Sequence, residues 1–444
     1  MLHKVNKSPL TDVTYIGARA GDVDIDYFSF SEEGLEADIA GQIVNEILDY
    51  DTNPRLNLAT YCCTHLPDPV ADQLALRGLK INAVDVPEYP SMKVFGHLIT
   101  NYVANLCNVP EGGNACGVQT IGSSEAIMLG VLSAKKRWQS HRKALGLPID
   151  NPVLLVSEAC HVCFIKAAMM FDLELKLLPC ESVDNLIPSV ETVRQNLDDR
   201  VVCLGAVLGN TYTNAFDPIA EYNDLLEEYN ATHDWKIMMH VDAASGGFFA
   251  PFICPELVWD FRLKNVASIN ISIHKFGNVP TGIGQVVWRS HDLLHSDLVY
   301  HVGYLGEDEE TFSINFSKSG CQIVLAAFTF LRLGRKGYRD IAHACNNVAE
   351  YFRARLVETG LFSITKTEGF ATPVVTFRIA EGVDLDASEL CDRLKKSCIP
   401  AYPLPGKHSD VTMMRVVIRE GITKPLIDLV TEEILTTAKK IMKK

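Results

Sequence analysis

Five short apolar runs constrain the fold of this chain more than any other feature: residues 153–156, 201–208, 237–241, 267–273 and 285–288. Most lack polar alternation, as strands do when both faces of a parallel sheet are covered. The run 267–273 differs, with Ser268, Asn270 and Ser272 on one face. Helical patterns lie between the runs. One begins at Ser123/Ser124 and sets Ile127, Val131, Ala134 and Trp138 on one face. Another opens with Asp217 as N-cap and Pro218 at the first helical position, then presents Tyr222, Leu225, Leu226 and Tyr229. Strands alternating with helices predict an α/β domain with a mostly parallel sheet.

The flanks read differently. Residues 1–51 form an N-terminal arm whose second half, with Leu35, Ile39, Ile43 and Ile47, has the spacing of an amphipathic helix. The large domain is expected over 52–325. Residues 326–444 supply a linker helix, its pattern running from 322 to about 356, and a small α+β domain. Strands at 372–377 and 413–418 alternate there with helices at 387–396 and 424–442. The lysines at 439, 440, 443 and 444 read as cations complementing the dipole of the last helix.

With 444 residues, 47% of them hydrophobic and 22% charged, the chain can bury a large core. A net charge of −14 argues against a nucleic-acid surface. No run approaches the roughly 18–20 apolar residues of a membrane span, and the first residues lack the apolar core of a signal peptide. The thirteen cysteines are scattered, often within apolar runs, which suits reduced thiols in the cytoplasm. No Cys/His spacing fits a metal site, so none is expected.

Chemistry concentrates at the ends of the predicted strands. Lys275 follows His274 at the end of the run 266–273, and a loop with Gly277, Pro280 and Gly282 comes next. An ammonium there is costly to desolvate, so the neutral, nucleophilic amine is favoured. The commonest use of such an amine is a Schiff base with pyridoxal phosphate. Asp242 ends another strand, 33 residues earlier. A carboxylate there can keep the cofactor's ring nitrogen protonated, which makes the ring an electron sink. Gly122-Ser123-Ser124 opens a helix with free N–H groups, two hydroxyls and the positive dipole end, a phosphate cradle. His161, just past the strand at 153–156, can stack on a pyridine ring. Each has a plainer reading alone: a snorkelling lysine, a turn aspartate, a serine N-cap, a structural histidine.

Together with Asn57–Tyr61, Glu88-Tyr89-Pro90, Thr211-Tyr212-Thr213, His240–Gly247, Val258–Arg262, His274–Gly277, Ser313–Ser317 and Met414-Arg415, these segments resemble the pyridoxal-phosphate-dependent amino-acid decarboxylases, most of all the glutamate decarboxylases. The similarity spans about residues 30–435. It implies an aspartate-aminotransferase-like large domain (fold type I) with a seven-stranded, mostly parallel sheet. It also implies α-decarboxylation of an acidic amino acid, most simply L-glutamate to 4-aminobutanoate, in a homodimer or higher homo-oligomer with a shared active site.

By the same resemblance, Lys275 carries the cofactor and Asp242 pairs with its ring nitrogen. Ser123, Ser124 and His274 hold the phosphate, and Phe316 and Ser317 reach it from a neighbouring subunit. Thr211 and Ser245 touch the ring substituents. Thr60, Tyr61, Asn82 and Asp85 match positions that recognise the substrate's side-chain carboxylate, although Asp85 then needs a proton or a mediating donor. Arg415 orients a substrate carboxylate, and Tyr304 or Lys275 returns a proton to the α-carbon. Two departures stand out: His161 occupies a position where bacterial and plant glutamate enzymes carry glutamine, and the chain ends soon after its last helix, without the extension that gates some relatives. A decarboxylase of aspartate, cysteine sulfinate or an aromatic amino acid, or an enzyme coupling decarboxylation to C–C or C–N bond formation, shares most of these residues.

Overall fold

The computed structural model describes residues 32–64, 68–110, 116–302, 309–365 and 369–443. The chain divides into a unit ending at Leu56 and one running from Asn57 to Lys444. In the first, helix α1 (Ala37–Leu48) forms where the apolar spacing predicts it. Of that stripe Ile39 is buried, whereas Leu35 and Ile47 are exposed.

The second unit begins with helices α2 (Pro69–Gly78) and α3 (Ser91–Leu106). Then come β1 (Cys116–Thr120), α4 (Ser123–Ala144), β2 (Val153–Ser157), α5 (Val162–Met170), β3 (Glu174–Leu178), α6 (Val190–Arg194), β4 (Val201–Val207), α7 (Ile219–Thr232), β5 (Met239–Asp242), α8 (Ala250–Ile253), β6 (Val266–Ile271) and β7 (Gly284–Trp288). The strands form one seven-stranded sheet in the order β1-β7-β6-β5-β4-β2-β3. Only β7 runs against its neighbours; β3, β2, β4, β5 and β6 are parallel. Strands β2, β4, β5 and β6 are buried along their whole length, which is why their sequences read as continuous apolar runs.

The two strands the apolar pattern does not announce, β1 and β3, are the sheet's edges. Their polar residues (Gln119, Glu174, Lys176) tolerate partial exposure there. The start of α7 differs from expectation too. The helix begins at Ile219 with Pro218 at its N-cap, and Asp217 does not cap it. Its carboxylate instead accepts the Val207 N–H at 2.8 Å, while its own N–H returns to the Val207 carbonyl at 2.9 Å. A buried backbone donor at the end of β4 outcompetes an N-cap role.

Beyond the sheet, β8 (Tyr300–Val302) and β9 (Glu309–Thr311) pair as a ribbon. Helix α9 (Cys321–Glu358) follows, interrupted at Gly334, whose φ of 55° leaves the helical region. The C-terminal part is an antiparallel sheet ordered β10-β11-β13-β12, from Phe362–Ile364, Val374–Ile379, Thr412–Val417 and Ala401–Pro403 respectively. Helices α10 (Ala387–Asp392) and α11 (Lys424–Met442) belong to the same α+β unit, and their Leu390, Ile427, Val430 and Ile434 share its core with Phe352 and Phe377. No helix of the described residues is long and apolar enough to cross a membrane.

Burial raises the Asp217 pKa from the usual 3.8 to about 7, against the opposing Val207 hydrogen bond. The native state therefore keeps a proton that the unfolded chain releases. This contribution to stability is complete below about pH 4 and disappears as pH rises towards about 7. About three decades of proton affinity correspond to about 4 kcal/mol. Asp217→Asn should flatten the dependence of urea-unfolding free energy on pH across this window; an unchanged slope would contradict the assignment.

Candidate active site

The carboxyl ends of the parallel strands open into a cavity of about 460 Å³, the usual location of a ligand site in an open α/β sheet. Strand β5 delivers Asp242 to it directly. Strand β6 runs out through Ser272 into a turn bearing His274 and Lys275, and α4 starts at the rim with Ser123 and Ser124. His161, Cys163, Thr211 and Ser245 complete the wall.

The Lys275 turn is held on several sides. Lys275 N–H donates to the Ser272 carbonyl at 3.1 Å, His274 N–H to the Ile283 carbonyl at 3.2 Å, and the buried Tyr338 hydroxyl to the Gly277 carbonyl at 2.8 Å. The Lys275 amine donates to Ser245 Oγ at 3.1 Å. Loss of water around it lowers its pKa, while the Asp242 carboxylate works the other way. Asp242 presents Oδ1 to the Ala244 N–H at 3.1 Å and to Asn270 Nδ2 at 2.8 Å.

At the other end of the cavity, Gly122 precedes α4 without a side-chain cap, so the first-turn N–H groups stay available. A β-carbon on Gly122 would lie 3.1 Å from the His274 ring, close enough that the imidazole would have to shift, so glycine leaves the cradle at its most open. Ser123 Oγ lies 2.7 Å from Ser272 Oγ, and Ser124 Oγ 2.9 Å from Cys163 Sγ. His274 Nδ1 accepts the Ile283 N–H at 3.2 Å, and burial lowers the ring's pKa to about 4. The neutral ring therefore carries its proton on Nε2 and can donate. Burial likewise lowers the His161 pKa, with Asp242 opposing. The His161 ring caps α5, Nδ1 sitting 2.8 Å from Cys163 Sγ.

The remaining sequence-selected residues lie elsewhere. Tyr61 and Arg415 stand beside the cavity rather than in its lining: the Tyr61 ring centroid is 5.0 Å from Lys275 Nζ and 5.1 Å from Arg415 Cζ. Tyr61 Oη is committed to Asn214 Oδ1 at 2.5 Å. Arg415 donates to the Thr211 carbonyl at 2.8 Å, and its Nε is buried with no hydrogen-bond partner among the described residues. Thr60 Oγ1 accepts the Cys62 N–H. Asn82 and Asp85 sit together in a turn outside the lining, with Asn82 Nδ2 3.4 Å from Ser317 Oγ. Phe316 and Ser317 are exposed and are not part of this cavity's lining. Tyr304 lies outside the described residues.

Residues 31–380 match the model of the pyridoxal-dependent decarboxylase conserved domain. The chain belongs to the pyridoxal-dependent decarboxylase family. It is 40% identical to glutamate decarboxylase 5 of Arabidopsis thaliana over 93% of this chain and 84% of that one. It is 37% identical to glutamate decarboxylase beta of Listeria innocua, over 94% and 91%. The solved glutamate decarboxylase of Lactobacillus brevis superposes with a TM-score of 0.92 at 35% identity, covering 97% of this chain and 98% of that structure. The decarboxylase thus has the fold type I architecture and takes pyridoxal phosphate.

Two residues of this decarboxylase escape a motif-based reading. The buried Glu125 carboxylate accepts N–H groups from Ile121 at 2.9 Å, Ile314 at 2.8 Å and Asn315 at 3.3 Å, tying the Gly122–Ser124 turn to the segment around Phe316. Its Ser-Ser-Glu context suggests only a helix start. Arg419, 4% exposed, grips the carbonyls of Asn57 at 2.9 Å and Thr60 at 3.1 Å and so holds the strand of chain that carries Tyr61. Nothing in its neighbourhood signals this.

Tyr61→Phe keeps the ring beside Lys275 and Arg415 and removes only the hydroxyl's bond to Asn214. The expected cost is about 1 kcal/mol of stability in urea unfolding. A variant as stable as the parent would mean the Asn214 contact holds nothing.

Proposed function

We propose that the protein is an α-decarboxylase of L-glutamate, converting the substrate and one proton into 4-aminobutanoate and CO2. The observation that carries this is the grouping of the Lys275 amine and the Asp242 carboxylate in one cavity, with the Arg415 guanidinium beside it and its Nε buried and unpartnered among the described residues. An unpaired buried N–H of a cation favours a carboxylate ligand. The relatives called glutamate decarboxylases, at 37–40% identity over more than nine-tenths of this chain, support glutamate as substrate.

The residues fit pyridoxal phosphate from end to end. The α4 N-terminus, Ser123, Ser124 and His274 Nε2–H would provide donors for a phosphate around the cradle at Gly122. When the cofactor is bound, Asp242 would offer its second carboxylate oxygen to the ring nitrogen, His161 would cover the ring, and Thr211 and Ser245 would meet its substituents. Lys275, its charge disfavoured by burial, is the amine that carries the cofactor. Bound pyridoxal phosphate supplies the electron sink that accepts the pair left when CO2 departs. The protein's part is orientation: Arg415 holds a substrate carboxylate, and Thr60, Tyr61, Asn82 and Asp85 serve its recognition. With its hydroxyl bound to Asn214, Tyr61 contributes its ring and backbone. Lys275 or Tyr304 then returns a proton to the α-carbon.

We further propose a homodimer in which Phe316 and Ser317 complete the partner's phosphate site. Exposed Ile314 and Phe316 beside Ser317 form an apolar surface suited to burial against a second copy, and Asn82, in contact with Ser317, would travel with it. The domain limits at about 52, 325 and 326, and a cytoplasmic location, belong to the same proposal.

Purified protein given pyridoxal phosphate and a panel of amino acids should release CO2 and 4-aminobutanoate from glutamate, read by mass spectrometry. Turnover of aromatic amino acids but not glutamate would remove the substrate assignment. Lys275→Ala should lose turnover by roughly 10³-fold or more and leave no borohydride-fixed cofactor on the peptide containing residue 275. Co-expressing Lys275→Ala with a Phe316→Ala/Ser317→Ala double variant tests the shared site. Residues acting across subunits leave one intact site per mixed dimer and restore activity above either parent; no recovery in isolated mixed dimers would place both residues in their own chain's site.

A further inference from the structure

Behind Asp242, three side chains stand in single file. Ser268 Oγ lies 2.8 Å from His240 Nδ1, His240 Nε2 lies 2.8 Å from Asn270 Oδ1, and Asn270 Nδ2 lies 2.8 Å from Asp242 Oδ1. His240 and Asn270 are fully inaccessible, and neither they nor Ser268 line the cavity. The site is built tightly around the imidazole. A β-carbon at Gly130 of α4 would overlap it, and the Phe164 ring meets it edge-on with centroids 6.2 Å apart.

A single set of proton positions satisfies the file. The Asn270 amide must point its NH2 at the Asp242 carboxylate, because the flipped amide would set oxygen against oxygen. Asn270 Oδ1 then needs a donor, which only the Nε2–H tautomer of His240 supplies. Burial keeps that ring neutral, so Nδ1 is bare and accepts from the Ser268 hydroxyl. Every donor thus points towards Asp242. With the Ala244 N–H, the file commits Oδ1 to the protein and leaves Oδ2 for the cavity.

We propose that His240 and Asn270 are positioning residues for Asp242, fixing which carboxylate oxygen meets the ring nitrogen of pyridoxal phosphate. The proposal rests on the pairing of Asp242 with that nitrogen. Without Asn270, one N–H alone would hold Oδ1 and the carboxylate would be free to turn. Without His240, the Asn270 amide would lose the partner that sets its orientation.

The test compares binding of two ligands to apo protein: pyridoxal phosphate and its 1-deaza analogue, in which carbon replaces the ring nitrogen. Asn270→Leu should raise the dissociation constant for pyridoxal phosphate by roughly tenfold to a hundredfold, the worth of a hydrogen bond to a charged group. The analogue, which makes no such pair, should change by less than about threefold, a split that a general packing defect cannot produce. Equal losses for both ligands, or no loss for either, overturn the proposal. Should Asn270→Leu not fold, as judged by urea unfolding of the apo protein, Ser268→Ala repeats the comparison at the far end of the file. There a few-fold loss confined to pyridoxal phosphate is expected, and equal changes overturn it. Asp242→Ala runs alongside. If that variant does not discriminate between the ligands, the ring-nitrogen pairing itself fails; if it does and Asn270→Leu does not, only the positioning role fails.

Discussion

The opposition of one buried amine and one buried carboxylate at the ends of neighbouring strands is the constraint on which the rest of this structure depends. Burial favours a neutral Lys275, whereas Asp242 pulls the amine back towards its charged form. Neither tendency would hold on a flexible scaffold. Asp242 is the last residue of a fully buried strand, and Lys275 follows the end of the neighbouring one, in a turn closed by bonds to Ser272, Ile283 and Tyr338. The parallel sheet thus sets the separation of the two groups, and the separation governs the chemistry.

The same economy operates around the cavity. Helix α4 begins at the cradle and passes behind the sheet, where its Gly130 admits the His240 ring. Glu125, one residue after the cradle's last serine, fastens the turn to the segment bearing Phe316. Tyr61 lies close to the Lys275 amine and the Arg415 guanidinium, and Arg415 and Arg419 are anchored to carbonyls of Asn57, Ala59 and Thr60 just before it in the chain. Binding groups, positioning groups and core packing are therefore not separate layers here, and several residues belong to two of them.

Much of this was legible in the chain because burial on both faces leaves a simple record. Strands β2, β4, β5, β6 and β7 show as apolar runs, and the helices between them as apolar stripes. Edge strands β1 and β3 left no such record, since half-exposed positions accept Gln, Glu and Lys. Short strands β10 and β12 are too brief for any period to show. Asp217 misled because an aspartate before a proline has the local signature of a cap, while its actual partner, the Val207 N–H, comes from a strand ten residues earlier.

The sequence by itself determined the alternation of strand and helix, the placing of Lys275 and Asp242 at strand ends, and the glycine-serine turn, because all are written in local periodicity and residue type. Only the tertiary structure decided that eight of the sequence-selected residues share one cavity, that the Tyr61 hydroxyl is bonded to Asn214, and that Arg415 keeps a buried N–H without a partner among the described residues. It alone put Ser268, His240 and Asn270 in line behind Asp242. The reason is physical: hydrogen bonds between residues far apart in the chain depend on strand order and register, which no short window of sequence contains.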